Sequence, residues 1–384
     1  MSNPIVITSA CRTAVGSLGK SLKNISATEL GSAVISESIK RSNLTNDDVD
    51  EIVMGQVLTG GTGQNPARQA AIRSGIPKEK PAYVVNQVCG SGIRSVVSGF
   101  QSIKSGDSKI VIAGGQENMS LAPHAIHLRD GKKLGDAEII DTLIKDGLWD
   151  AFNGYHMGVT AENVAAKFQV TRGQQDNFAL SSQKKALNAQ KENKFKDEII
   201  DFKIKSKKSD VNFNEDEHPR DGISIDVLNK LKPVFQKNGT VTAGNASGIN
   251  DGAASVALMS LAESEKRGLE KLVTIKSWAS CGVDPALMGT GPIPSSKKAL
   301  EIAGWSIKDL DLLEVNEAFA AQSIAVLKTL GIPEEKVNVN GGAIALGHPI
   351  GASGTRILVS LIHEMIKRDV HKGLATLCIG GGMG

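Results

Sequence analysis

Aromatic side chains make up only 4% of this 384-residue chain. That is too few for a surface that stacks on nucleic-acid bases. Charge of one sign is also lacking. The formal net charge is +3, which argues against a dedicated nucleic-acid binder but leaves room for a local basic patch facing a phosphorylated cofactor. No apolar run reaches the ~18 residues of a membrane span. The N-terminal Met-Ser-Asn-Pro-Ile-Val-Ile-Thr has no basic region followed by an apolar core. A soluble, cytoplasmic protein with no membrane partner is the expectation. Cysteine is sparse: four residues, at 11, 89, 281 and 378. None forms a CxxC pair, so neither a zinc nor a redox motif is expected, and no metal. Their scatter suggests reduced thiols in a reducing compartment.

Glycine, by contrast, is plentiful. The count of 41 is about 11% of the chain, against a usual ~7%. The excess suggests tight turns, or loops where backbone approaches a ligand closely. Hydrophobic residues at 40% and charged residues at 22% are ordinary for a globular protein. The length suffices for two or more domains, or one large layered architecture.

Short β-rich runs alternate with helical patterns, which predicts an α/β layered fold. Ile5–Thr8, Glu51–Met54, Tyr83–Gln87 and Lys109–Ala113 read as strands. Ser26-Ala-Thr-Glu29 has capping-box spacing and should open a helix carrying Leu30, Ala33 and Val34. Ile93, Val96, Val97, Phe100 and Ile103 recur at helical spacing, so a helix follows Cys89.

The second half repeats this order. The segment starting at Asp48 resembles that at Asp309, an offset of 261. Cys89-Gly-Ser-Gly resembles Gly351-Ala-Ser-Gly, an offset of 262. Ile112-Ala-Gly-Gly resembles Cys378-Ile-Gly-Gly, an offset of 266. Three matches in one order at nearly constant offset suggest a duplicated α/β unit. Residues 1–118 with 250–270 form one half and 271–384 the other. Residues 119–249 read as an inserted region covering one face of the core. That insert carries charged runs at Lys203–Lys208 and Asn214–His218. Its Thr171–Asn193 helix opens on a capping-box pattern of Thr171 and Gln174. Most of its lysines read as solvated surface.

Four loops carry residues suited to chemistry. Cys89 lies in Asn86-Gln-Val-Cys-Gly-Ser-Gly, between a strand and a helix. A helix N-terminus presents free N–H groups and a positive dipole end, which favours thiolate over thiol. A buried structural cysteine is the bland alternative, but such cysteines are seldom flanked by Gly-Ser-Gly. His348 lies in a glycine-rich loop, Gly341 to Gly354, again before a helix. It could deprotonate a thiol and later donate to a thioester oxygen; His363 and His371 read as structural. Cys378 precedes Ile-Gly-Gly-Gly at a strand end and could act as acid or base if its thiol is tuned toward neutrality. Asn316, in Val315-Asn-Glu-Ala-Phe-Ala, is either a plain helix N-cap or a donor to an oxyanion. All four fall at strand ends, where open α/β sheets place their sites.

Together, Asn86-Gln-Val-Cys89-Gly-Ser-Gly, Asn316-Glu-Ala-Phe, Gly347-His348-Pro-Ile-Gly and Cys378-Ile-Gly-Gly-Gly resemble the active-site loops of the thiolase family, and the resemblance spans nearly the whole chain. It implies a five-layer αβαβα fold, in which the inserted loop domain serves coenzyme A binding and oligomerisation, and usually a tetramer of tight dimers. It implies that Cys89 takes an acyl group as thioester, that His348 activates Cys89, and that Cys378 moves the α-carbon proton of a second acyl-CoA. One oxyanion hole would be His348 with a water held by Asn316; the other, the backbone N–H groups of Cys89 and Gly380. Ser247 matches the position touching pantetheine, and Arg220 the one near the adenine end. Ala243 and Phe235 are carried over with them as coenzyme A contacts. Leu148, His156, Met157, Met288 and Phe319 match the acyl-pocket positions of the short-chain type, although core packing would equally explain Leu148, Met157 and Met288. No tightly bound cofactor is implied; coenzyme A and acetyl-CoA are substrates. Family chains continue past Cys-Ile-Gly-Gly-Gly into a final apolar strand, whereas this sequence stops at Gly384. If the chain truly ends there, loss of that strand would loosen the Cys378 loop; a sequence cut short of that strand is the alternative.

The resemblance leaves three readings: reversible condensation of two acetyl-CoA, degradative thiolysis of longer 3-ketoacyl-CoA, or acyl-CoA binding without catalysis. The last expects damage at one of the four loops, and none is visible. Decarboxylating ketosynthases share the fold, but they use a second histidine where this chain has Asn316.

Overall fold

A computed structural model describes residues 3–205 and 209–384. Met1, Ser2 and the end of the expected charged run, Lys207 and Lys208, lie outside the described residues. The first half is built on a seven-stranded sheet. Its strands include β1 (Ile5–Arg12), β2 (Glu51–Gly55), β3 (Ala82–Val85), β4 (Ile110–Asn118), β5 (Asn250–Ser260) and β6 (Val273–Thr274). Their order is β6-β1-β5-β4-β2-β3. β2 is parallel to both β3 and β4, while β5 runs antiparallel between β1 and β4, pairing Asp251 with Asn118 and Met259 with Ile110. β6 lies beyond residue 270, yet hydrogen-bonds to β1 at the edge of this first sheet.

Strand side chains alternate between faces, and both faces of this sheet are buried. Ile110 and Ile112 join one apolar cluster, Val111 and Ala113 another. On the outer face lies helix α1 (Ala27–Arg41), which places Leu30 and Val34 against the sheet. The expected capping box is formed: Ser26 Oγ accepts from Glu29 N, and Ser26 N donates to the Glu29 carboxylate. On the inner face lie helices α2 (Ser91–Ser105) and, from the second half, α7 (Ser353–Arg368), through Val96, Val359 and Ile362.

The far side of α7 meets a second sheet. There β7 (Leu312–Val315) pairs in parallel with β8 (Gly373–Thr376), Leu312 opposite Gly373. Leu312 packs with Leu361 and Met365 of α7. Its neighbours Leu313 and Val315 turn to the opposite face, onto Leu300 of α5 (Pro292–Ala303) and Val326, Leu327 and Leu330 of α6 (Ala320–Leu330). The layers therefore run helix, sheet, helices, sheet, helices. The duplication is visible in detail. A 3-10 turn with a capping box precedes both β2 (Thr45 and Asp48) and β7 (Ser306 and Asp309).

The chain leaves the first sheet at Asn118 and re-enters it at Asn250. Between lie α3 (Met157–Lys167) and α4 (Arg172–Lys191), the latter opened by its capping box at Thr171 and Gln174. Ala179 of α4 packs on Ala320 of α6 and on Ile344. Arg12 of β1 anchors the intervening stretch through buried ion pairs, 2.7 Å to Glu198 and 2.7 Å to Asp216. The last residues are tied down as well. Val283 N donates to Gly382 O at 2.7 Å, and Cys281 exchanges both backbone hydrogen bonds with Gly384.

Candidate active site

The strand before Cys89 ends at Val85, two residues earlier than the β-rich run suggests. The chain turns there because Val88 N donates to Asn86 Oδ1 at 2.9 Å, Gln87 N donates to Ser91 Oγ at 2.9 Å, and Ser91 Oγ donates to Val88 O at 2.7 Å. Val88 takes φ +47°, a conformation that is strained for a β-branched residue. Cys89 follows on this sharp turn, two residues before α2 begins. It is half-buried, among Val57, Leu58, Leu148, Ile249 and Ile350.

His348 sits on the equivalent turn before α7. The two helices start against each other. A Cβ on Gly92 would stand 2.8 Å from Thr355 N, and one on Gly354 would stand 2.4 Å from Ile93 N. Backbone meets backbone at both contacts, so only glycine fits. This mutual approach explains why each loop reads Gly-Ser-Gly or Ala-Ser-Gly.

The hydrogen bonds around His348 fix its tautomer. Ser353 Oγ donates its single proton to Pro349 O at 2.9 Å. With that proton spent it accepts from His348 Nδ1 at 2.6 Å, and the Asn316 amide, 3.5 Å from the same nitrogen, is the weaker contact. Nδ1 then carries the hydrogen and Nε2 is bare, buried and without a partner among the described residues. Burial first, and the positive charge of Arg356 second, push the imidazole down to about 3. The ring rests neutral, as a base should.

Cys89 differs from the sequence expectation of an ionised sulfur. Burial pushes its thiol up to about 11, against the N–H groups of Gly380 and of Cys89 itself, with Glu117 adding to the rise. A helix N-terminus contributes roughly 0.3–1 kcal/mol to a nearby anion, whereas moving a thiol from 9.0 to about 11 costs roughly 3 kcal/mol. Burial wins, and the resting nucleophile is a thiol. Cys378 is fully buried, and burial, together with the nearby Cys89, pushes its thiol upward as well, away from neutrality rather than toward it.

Asn316 is not a helix cap. α6 begins four residues later, with Phe319 at its N-cap. Instead Asn316 is fully buried, its Nδ2 3.5 Å from His348 Nδ1 and its Oδ1 without a partner. Gly380 aims its N–H at the Cys89 sulfur, and a Cβ there would lie 3.3 Å from Val88 and 3.5 Å from Met157. The structure therefore gathers Cys89, Cys378 and Gly380 at one point, and Asn316 with His348 at another.

The remaining residues divide. Met157, Met288 and Phe319 are buried in one cluster with Cys378, against which Phe235 packs. Phe235 stacks on His156 at 4.6 Å and meets Phe319 edge-on at 6.3 Å. His156 also caps α3, accepting from Gly158 N. Leu148 packs on the Cys89 side. Ser247 N donates to Ala318 O, beside Phe319. Arg220 and Ala243 are exposed; Arg220 holds Gln183 through its backbone N–H. A large groove of about 840 Å³ lies elsewhere, lined by Phe100, Trp278 and Leu358 among others, and takes in none of the reactive side chains. His363 is structural, its Nε2 2.9 Å from Ala10 O.

Three residues of the site carry no signal of their own in the sequence. Ser353 lies inside a recognisable motif, but its role needs the third dimension. Asn250 accepts from His348 N at 2.9 Å, and Glu117 accepts from Gly351 N at 2.9 Å. Both act from the first half of the chain.

Comparison with known proteins bears on the family and the fold. The profile of the thiolase N-terminal domain matches residues 5–262, and that of the thiolase C-terminal domain matches residues 269–384. The acetyl-CoA acetyltransferase of Rhizobium meliloti (strain 1021) is 60% identical, covering 100% of this chain and 98% of its own. The protein of the same name from Shinella zoogloeoides is 58% identical at the same coverage. Among solved structures, the Bacillus anthracis acetyl-CoA acetyltransferase superposes with TM-score 0.98 at 44% identity, and human mitochondrial 3-ketoacyl-CoA thiolase with TM-score 0.97 at 41%. Each covers 100% of this chain and 97% of the other.

Proposed function

From the premise that this chain belongs to the thiolase family, we propose that it is an acetyl-CoA acetyltransferase, an acyltransferase that reversibly condenses two acetyl-CoA into acetoacetyl-CoA and free coenzyme A. The observation that carries the reading is a pair of helix-start turns packed backbone to backbone, one bearing Cys89 as a resting thiol and the other a neutral His348 whose Nε2 is bare and buried. His348 takes the Cys89 proton as the sulfur attacks the thioester carbonyl. The N–H groups of Cys89 and Gly380 stabilise the oxyanion. Coenzyme A leaves as a thiol, reprotonated by His348, and an acetyl group stays on Cys89. Cys378, once its own proton is lost to solvent, removes an α-proton from a second acetyl-CoA. The enolate, held by an Asn316-bound water, attacks the acetyl carbonyl and expels the Cys89 sulfur, which takes the proton back from Cys378. In the thiolytic direction Cys378 returns that proton, and its high proton affinity suits a weakly acidic carbon.

Met157, Met288 and Phe319, with Leu148 and His156, would wall a short acyl pocket. Ser247, Phe235, Ala243 and Arg220 would line the route of coenzyme A, which enters as substrate. A degradative enzyme for longer chains is the second reading, and the human structure keeps it in view. Fold does not separate the two, because the TM-scores differ by 0.01. Sequence identity of 58–60% to enzymes named for acetyl-CoA favours the first. Thiolysis rates across chain lengths decide: a preference for ketoacyl chains of roughly eight or more carbons exceeds what a few methylenes contribute and contradicts the short-chain reading.

Self-association and a cytoplasmic setting complete the proposal. Leu134 is 91%, Phe152 74% and Ile139 65% exposed, an unusual run of open apolar side chains that a second copy would cover. Both Cys89 and Cys378 must stay reduced to work, which suits the cytoplasm. Light scattering should give a dimer or tetramer; a monomer at micromolar concentration contradicts the assembly.

A further inference from the structure

The His348 turn is seated by side chains from the other half of the molecule, and one of them is a carboxylate beside the nucleophile. Glu117, fully buried near the end of β4, accepts from Val57 N at 3.0 Å, Leu58 N at 3.2 Å and Gly351 N at 2.9 Å. All three partners are donors, so the socket suits the ionised form. The fit is tight: a Cβ on Gly351 would stand 2.6 Å from Glu117 Oε2 and 2.8 Å from Gln56 Cα. Its contacts thus tie the loop after β2 to the loop that carries His348.

We infer that Glu117 is a positioning residue, holding the His348 turn against the Cys89 turn while keeping a negative charge beside the sulfur. The inference rests on the assignment of Cys89 as nucleophile and His348 as base. Other charged or titratable groups face this region. Asp251 of β5 acts on Glu117, with Glu217 behind it. Cys378 faces Cys89, and Arg356 of α7 faces His348. Of these, Glu117 is the carboxylate that opposes ionisation of Cys89. Burial and Asp251 raise its own carboxyl to about 7, against the pull of the three N–H groups. It is therefore charged throughout the range where the thiol titrates. Burial is the larger cause of the raised thiol and the Glu117 charge adds to it, so that ionisation awaits a substrate and proton transfer to His348.

Asn250 supplies the control. Its Oδ1 accepts from His348 N and its Nδ2 donates to Gly16 O, so it anchors the same turn without charge. The experiment measures kcat for acetoacetyl-CoA thiolysis and the pH dependence of Cys89 alkylation by iodoacetamide, mapped by peptide mass, in Glu117→Gln, Glu117→Asp and Asn250→Ala. All three should lower kcat, by about 10- to 100-fold. Only Glu117→Gln should move the alkylation midpoint, by ~1 unit toward lower pH. Glu117→Asp keeps the charge on a shorter stem, so it loses rate with the midpoint unmoved. A Glu117→Gln midpoint equal to the wild-type value, or unaltered kcat, overturns the inference. If Glu117→Gln does not fold, a lowered midpoint or full kcat in Glu117→Asp overturns it. Alkylation or acylation mapping away from Cys89 instead contradicts the nucleophile assignment, and so separates the two failures.

Discussion

The turn before α2 is held by its own neighbours: Asn86, Gln87, Val88 and Ser91 bond one another within five residues. The turn before α7 is its counterpart in the duplicated half, yet beside the local Ser353 bonds it has anchors that come from afar. Asn250 is 98 positions from His348, and Glu117 is 234 positions from Gly351. The nucleophile is thus a local device, and the base is assembled by the whole fold. Duplication supplied two equivalent helix starts, and the chain then used one for strain and the other for support.

That contrast can be broken at several points. The largest effect belongs to the nucleophile itself. Cys89→Ala should lower turnover by on the order of 10⁴-fold or more, with no acyl-enzyme seen by mass spectrometry; normal acylation of that variant would refute the nucleophile. Cys378→Ala should still accept an acetyl group but lose condensation by ~10²–10⁴-fold, which radiolabel exchange against product formation can separate. Full condensation would remove its role. Ser353→Ala frees His348 to adopt the other tautomer. Its kcat should fall by about 10- to 100-fold with KM nearly unchanged, and an equal fall in kcat/KM from binding alone would contradict the tautomer argument.

Gly354→Ala probes the contact between the two helix starts. Alanine gains about 1 kcal/mol over glycine inside a helix, but its Cβ would stand 2.4 Å from the backbone of Ile93. Overpacking of that kind costs roughly 1–3 kcal/mol or more, and backbone cannot swing aside. The melting temperature should fall; a rise would mean that the helices separate freely.

How far the sequence reveals this molecule follows the same division. The capping boxes at Ser26 and Thr171 and the β-rich run at Lys109–Ala113 are local patterns, and they stand in the fold beside the repeat at offsets near 261. The thiolase loops were readable because their glycines answer to a close approach that few sequences need. β1 and β4 outrun their apolar patterns, to Arg12 and Asn118, because their polar ends are buried with partners supplied from elsewhere. The ionisation of Cys89 was not legible. A helix start argues for thiolate, and only the surrounding apolar wall, contributed by five separate segments around Val57, Met119, Leu143 with Leu148, Ile249 and Ile350, reverses the balance. Glu117 and Asn250 carry no mark of their role in the sequence, because that role arises only where they meet the His348 turn.

The smallest effect, and the most direct measurement, is the pH dependence of acetyl transfer from acetyl-CoA to Cys89, followed by rapid quench and peptide mass mapping. With His348 neutral down to about 3, its folded form binds fewer protons than an exposed imidazole between that pH and about 6.5, so the rate should show no histidine midpoint near neutrality. The expected result is one acetyl group on Cys89 and, in Glu117→Gln, where the carboxyl raised to about 7 is gone, a rate flat through the ordinary histidine range. A midpoint near 6.5 that persists in Glu117→Gln, or the acetyl group on any other residue, would contradict a neutral buried base serving a resting thiol.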